Sequence, residues 1–198
     1  MKEIEEHPDW YYPVQDMRTL ILGTFPPHQK QWDYPFYYPN RANHFWKILA
    51  EVGKFTLTQW EGMPAVEERK FLMRQMRVGV QNIGLVVERE NQSALDKDIS
   101  VLKFQDLLSI INSNDSLQKV LLTGYSGKTS TYREFTKYLK MMGISYTKPD
   151  KVGAGFEFTA QFNRPINCLI GNSTSPTAQR GGISFEMLVD QFRKAITA

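Results

Sequence analysis

The stretch MRTLIL, residues 17–22, closed by Gly23, decides the fold. It is a short apolar run with no polar alternation, which predicts a strand buried on both faces rather than an amphipathic edge. Moving outward, a long loop rich in proline and aromatic residues runs from Thr24 to Ala42, and Asn43 then precedes HFWKILAEV. There Phe45, Trp46, Leu49 and Val52 fall near one helical face, with Asn43 as the expected N-cap. The spacing predicts a second helix over 64–77, with Pro64 in its first turn, and a second apolar segment over 78–87. Residues 98–111 read as an amphipathic helix carrying Ile99, Leu102, Leu107, Leu108 and Ile111. Lys119–Leu122 (KVLL) reads as a strand, followed by Thr123-Gly124 and a helix over 130–142. The alternation in FEFTAQF (156–162) predicts an edge strand. NCLI (167–170) reads as another buried strand, and the last helix is expected over 184–195 with Ser184 near its cap.

Strands alternating with helices imply an α/β fold, a mostly parallel sheet with helices on both faces. Ligands in such sheets sit at the carboxyl ends of the strands. Three loops are thereby brought together: 23–43, 123–129 and 171–182. The first holds Phe25, Trp32, Tyr34, Phe36, Tyr37 and Tyr38 among four prolines. Rings held at fixed angles offer stacking surfaces for a nucleobase, worth about 1–3 kcal/mol each; the same rings could instead form a satellite core under a long loop. The last loop, GNSTSPTAQRGG, offers small hydroxyl side chains, backbone amides and Arg180 for phosphate contact, or simply a polar connection. The middle loop ends in Gly127-Lys128-Thr129, but Leu122 stands where a phosphate-binding P-loop needs its first glycine, so a Walker-type NTPase is not expected. Lys128 could still face an anion at the start of the following helix.

Composition bounds the rest. The 198 residues are 41% apolar and 23% charged, which excludes a disordered chain, and no apolar run reaches the ~18 residues of a membrane span. MKEIEEHPDW lacks an apolar stretch of signal-peptide type, so a cytoplasmic protein with no membrane partner is expected. The one cysteine, Cys168, and three histidines, His7, His28 and His44, argue against an internal disulfide, structural zinc or an iron–sulfur cluster. Neither metal nor cofactor is expected. The net charge of +3 fits phosphate contact without establishing it.

Four segments, in order, carry a resemblance: LILGTFPP (20–27), FYYPNRANHFWKIL (36–49), GLVVERENQSALDKDI (84–99) and LIGNSTSPTA (169–178). Together they resemble the thymine/mismatch-specific branch of the uracil-DNA glycosylases, and hypoxanthine-DNA glycosylase more closely. The resemblance implies a single domain over 1–198, a three-layer αβα sandwich around a mostly parallel sheet of about four strands. It implies a monofunctional glycosylase that flips a deaminated base, uracil or hypoxanthine, out of double-stranded DNA and hydrolyses its N-glycosidic bond without a metal. A monomer is expected, because a flipping enzyme wraps its substrate.

By position, the resemblance places Thr24, Phe25, Tyr37, Tyr38 and Asn43 at the base pocket. Ser173, Thr174 and Ser175 would grip phosphates, with Gln179, Arg180 and Lys128 as further DNA contacts. Many relatives carry Asn or Asp where this chain has Phe25, and the hypoxanthine-directed relatives use an Asn where it has Thr123. The catalytic candidates are therefore Thr123 and Asn172, with Thr24, His28, Asp33 and Asn40 as other polar groups in the loops. Two further readings stay open: a nucleic-acid-binding module of the same fold that does not cut, and a nucleotide- or small-anion-binding α/β protein.

Overall fold

The computed structural model describes residues 2–93, 95–149, 151, 153–177 and 181–197. Its elements run β1 (Lys2–Glu6), β2 (Thr19–Gly23), α1 (Phe45–Gly53), α2 (Gly62–Met76), β3 (Val78–Asn82), β4 (Gly84–Glu90), β5 (Ile99–Phe104), α3 (Leu107–Asn112), β6 (Lys119–Thr123), α4 (Thr131–Met141), β7 (Gly155–Ala160), β8 (Arg164–Gly171) and α5 (Phe185–Thr197). The main sheet has five strands in the order β3-β2-β6-β8-β7. β3, β2, β6 and β8 are parallel neighbours, and β7 closes one edge antiparallel to β8. The sheet is mostly parallel as expected, but has five strands where about four were expected.

Every residue of β2 is buried, as its apolar run predicts, and so is every residue of β3, its polar end Gln81-Asn82 included, so both faces of the sheet are covered there. α1 packs on α5 and α2, α5 rests on β6 and β8, and α4 rests on β6. The alternation of Phe156, Phe158 and Ala160 inward along β7 is that of an edge strand half-exposed to water. Ser130 and Ser184 cap their helices, their hydroxyls accepting from the amides of Arg133 and Met187 at 3.3 Å and 3.2 Å.

Two expectations are corrected. The segment 98–111 is not one helix but β5 followed by the short α3. Ile99 and Val101 alternate onto Phe25 and Val87 while β5 pairs with β4, and this pairing overrides a spacing that also fits a helical face. Asp106 breaks the run, its carboxylate accepting the Ser109 amide at 3.1 Å to start α3. Residues 78–87 are not one segment either. The chain leaves the main sheet at Ile83, whose amide donates to Gly23 O at 2.9 Å, and continues as β4 in a second, antiparallel sheet of order β1-β4-β5. That sheet was not legible because β1 (KEIEE) is charged. Its cohesion comes partly from ion pairs to β4: Lys2–Glu88 at 2.6 Å and Glu5–Arg89 at 2.8 Å.

Candidate active site

The parallel strands β2, β3 and β6 end at Gly23, Asn82 and Thr123, side by side in the sheet, and the loop after β8 closes over them. A cleft of about 280 Å³ opens there, lined by Gly23, Thr24, Phe25, Tyr38, Asn43, Asn82, Thr123, Leu95 and Ser173–Thr177 among others. It lies where a parallel sheet is expected to hold a ligand, near the lower end of the roughly 300–1,000 Å³ typical of small-molecule sites.

Of the aromatic loop, only part faces this cleft. Tyr34, Phe36 and Tyr37 are buried in the core. Tyr37, expected at the pocket, packs against His7, Trp10 and Phe36, and its phenol donates to Gln81 Oε1 at 2.9 Å. Burial drives its pKa upward. Tyr38 does line the cleft. It sits in left-handed backbone with φ 47°, a conformation costing a non-glycine residue about 1–2 kcal/mol. Several contacts hold it there: its ring stacks on Phe45 with centroids 3.7 Å apart, and its carbonyl accepts the Tyr34 hydroxyl at 2.7 Å. The Thr123 hydroxyl donates to Leu22 O at 3.0 Å and lies 2.9 Å from the Tyr38 hydroxyl. With its one proton spent on Leu22, Thr123 accepts from Tyr38. The hydroxyl proposed from sequence as catalytic is therefore already engaged as donor and acceptor.

Phe25 lines the cleft, with His7 edge-on at 5.6 Å and the Arg89 guanidinium 5.7 Å from its ring centre. Arg89 is buried and cross-ties the wall, donating to Glu5, to Ser93 O and to Pro26 O at 2.6 Å. Thr24, also buried, pairs with the Thr131 hydroxyl at 3.1 Å. His44, not Asn43, is the N-cap residue of α1; Asn43, one residue earlier, joins two loops, its Oδ1 accepting the Phe45 amide at 3.0 Å and the Thr174 hydroxyl at 2.8 Å. Thr174 is thereby occupied, whereas Ser173 and Ser175 lie half-buried at the cleft.

Asn172 is not among the lining residues; its amide donates to Gln191 Oε1 at 2.9 Å. Lys128 is exposed and outside the cleft. Gln179 and Arg180 lie outside the described residues. Of the other polar groups, Asn40 lines the cleft and its Oδ1 accepts the Ala42 amide at 2.8 Å, whereas Asp33 holds the loop by accepting the Arg41 amide at 2.7 Å. His28 faces away, toward Glu3 and Glu5, with ligand atoms within 4.8 Å of one another. Glu5 is already paired with Arg89, and His28 Nδ1 accepts the Lys30 amide at 3.3 Å, which leaves no free histidine lone pair for a cation.

Sequence reasoning missed Asn82 and Gly23. Asn82 is 5% exposed at the end of β3, and His7 Nε2 lies 3.0 Å from its side-chain amide. The polar pair Gln81-Asn82 interrupting an apolar run was the available signal for a strand end. A Cβ on Gly23 would come within 2.7 Å of the Asn82 amide and 2.8 Å of the Tyr38 hydroxyl, so only glycine lets both reach the same spot.

Among known proteins, a proposed uracil DNA glycosylase from Methanosarcina acetivorans, solved in solution, has a similar structure. The TM-score is 0.59 with 16% identity, over 99% of this chain and all of that one, which shows a shared uracil-DNA-glycosylase-like fold. No protein-family model and no curated protein sequence matches the chain.

Proposed function

We propose that the protein is a DNA glycosylase that hydrolyses the N-glycosidic bond of a deaminated base flipped into the cleft. The observation that carries this reading is the convergence, at the strand ends, of a ring (Phe25), an amide (Asn82) and two hydroxyl-bearing residues of the last loop (Ser173 and Ser175) around a cleft of about 280 Å³. Phe25 supplies a stacking face, Asn82 reads an edge of the base, and Ser173 and Ser175 bind the flanking phosphates. Tyr38 and Asn43 line the same cleft. As the base leaves, the sugar becomes cation-like and negative charge develops on the base. A preorganised amide donor or acceptor aimed at that base lowers the barrier without a metal. Double-stranded DNA with a damaged or mispaired base is the partner, met by a monomer with the three-layer fold of one domain.

A second reading, a binding module that does not cut, is favoured by one observation. Among the described lining residues there is no aspartate, glutamate or histidine to act as general base, and the Thr123 hydroxyl is committed. In the first reading the water is held by amides, with Asn40 and Asn43 on the rim. A base-release assay separates the two: duplexes carrying one uracil, hypoxanthine or xanthine are incubated with the protein, and strand cleavage at abasic sites is scored. Release of one base supports the glycosylase. Lesion-selective binding without release supports the module, and neither removes both.

A further inference from the structure

The side chain behind Asn82 is chemically unusual for a wall of this kind. His7 is 7% exposed, packed against Trp10, Phe25 and Tyr37 with ring centroids 5.5, 5.6 and 5.9 Å away. It does not line the cleft, but it touches the side chain that does. Its Nδ1 lies 2.6 Å from the carbonyl of Pro8, and its Nε2 lies 3.0 Å from the end of the Asn82 amide placed as Oδ1. A carbonyl only accepts, so the proton of a neutral ring must sit on Nδ1. Burial lowers the pKa of His7, outweighing the raising effects of Asn82 with its oxygen toward the ring, of the Pro8 carbonyl and of Asp9, so the ring is neutral near pH 7. Asp9 on its own segment and the Tyr37 phenol, which donates to Gln81, are the titratable groups facing it; Glu6 is exposed.

With its single proton on Nδ1, Nε2 is bare and can only accept. The end of the Asn82 amide that faces it must then be the NH₂ group, because the network around an amide decides which end is which. As placed, the amide nitrogen Nδ2 lies at the other end, over Gly23 beside the Tyr38 hydroxyl; turning the amide by half a turn exchanges its two ends and puts the oxygen there.

We propose that His7 is a positioning residue that sets the hydrogen-bond polarity of the cleft: it ties up the Asn82 amide nitrogen and leaves the Asn82 carbonyl oxygen as an acceptor for a base bearing a ring N–H. This rests on reading the cleft as a base pocket, and it deepens that reading by naming what the pocket asks for. Deamination turns the bare ring nitrogen of cytosine (N3) or adenine (N1) into the N–H of uracil or hypoxanthine. An acceptor at that place separates each product from its parent, since a site built to pair with an N–H leaves its acceptor unsatisfied when the N–H is missing. Protonation of His7 reverses the arrangement. Nε2 becomes a donor, the amide turns, and the cleft presents NH₂ instead.

The first test needs no nucleic acid. In ¹⁵N-labelled protein with three histidines, long-range ¹⁵N–¹H correlation spectra assign each tautomer, and His7→Phe identifies the His7 signals. The proposal expects a protonated Nδ1 and a bare Nε2 at pH 7. A proton on Nε2, or on both nitrogens, overturns it. The second test measures affinity for a duplex carrying one hypoxanthine, relative to the intact duplex, as pH is lowered through the His7 titration seen in the spectra. The ratio should fall about tenfold with that titration, the effect of one mismatched buried hydrogen bond, and His7→Phe should lose the pH step. A ratio that stays constant while His7 titrates also overturns the proposal. Failure of the glycosylase reading would show in the base-release assay, and leaves the tautomer result intact.

Discussion

Gly23→Ala places one methyl group where the cleft is tightest. Its carbon would sit 2.7 Å from the Asn82 amide and 2.8 Å from the Tyr38 hydroxyl, well inside the roughly 3.5 Å of ordinary contact. Neither neighbour is free to retreat. Asn82 is held by His7 at 3.0 Å, while Tyr38 is fixed by its hydrogen bond to Thr123 at 2.9 Å and its stack on Phe45. The backbone is also pinned, with Gly23 paired to Asn82 across β2 and β3. Overpacking of this kind costs about 1–3 kcal/mol, less than the roughly 5–15 kcal/mol that keeps a domain folded. The variant should therefore fold, with a lower urea midpoint and an unchanged slope. Its lesion recognition should suffer more than its stability, because the two displaced groups are those that define the cleft. Affinity for a duplex with one uracil or hypoxanthine should drop at least tenfold relative to intact duplex. A Gly23→Ala protein that is destabilised as expected yet keeps its full lesion preference would refute the placement of the site.

Tyr37→Phe breaks the bond to Gln81 and should cost about 0.5–1.5 kcal/mol in urea unfolding without changing lesion preference, whereas Tyr38→Phe should change it; the opposite ranking would put the wrong tyrosine at the cleft. Arg89→Met removes a buried cation with three acceptors and should cost about 3 kcal/mol or more, with a loss under 1 kcal/mol counting against its role as a cross-tie. His7 has a folded-state pKa below the ordinary 6.5, so the unfolded chain takes up its proton first as the solution is acidified. Its contribution to stability is complete above about pH 6.5, falls below it and levels off beneath the folded pKa; His7→Phe should flatten that part of the curve measured between pH 7 and 5. Cys168 is fully buried with its thiol pKa pushed up, so a thiol reagent should label it only as fast as the protein unfolds, and rapid labelling of native protein would contradict its place in the sheet.

The central sheet was legible because β2 and β6 are short apolar runs bounded by glycine or polar residues, and a strand buried on both faces leaves little else for such runs to be; β8, whose burial alternates along most of its length, showed only residues 167–170. The second sheet was not. β1 has no apolar pattern to read, and β5 has a spacing that suits a helix until its pairing with β4 is known. The same limit applies to the site. Phe25, Tyr38, Asn43 and Ser173–Ser175 were placed near it by the resemblance, in loops that the strand order brings together, and all line the cleft. Tyr37 was placed with its neighbour, but adjacent residues in an irregular loop point in different directions, and it fills the core instead. Asn82 and His7 lie 75 residues apart in sequence and meet only through the fold. The turn at Ile83 that makes Asn82 a strand end was hidden inside what reads as one apolar segment.

The claim that the cleft receives a flipped base is tested most directly by placing the fluorescent base 2-aminopurine next to a single uracil or hypoxanthine in a duplex. Its emission rises when a neighbouring base leaves the stack. The account predicts a rise on binding of the protein, absent from the intact duplex and lost in Gly23→Ala, whether or not the base is then released. Tight binding with unchanged emission on every lesion would contradict it.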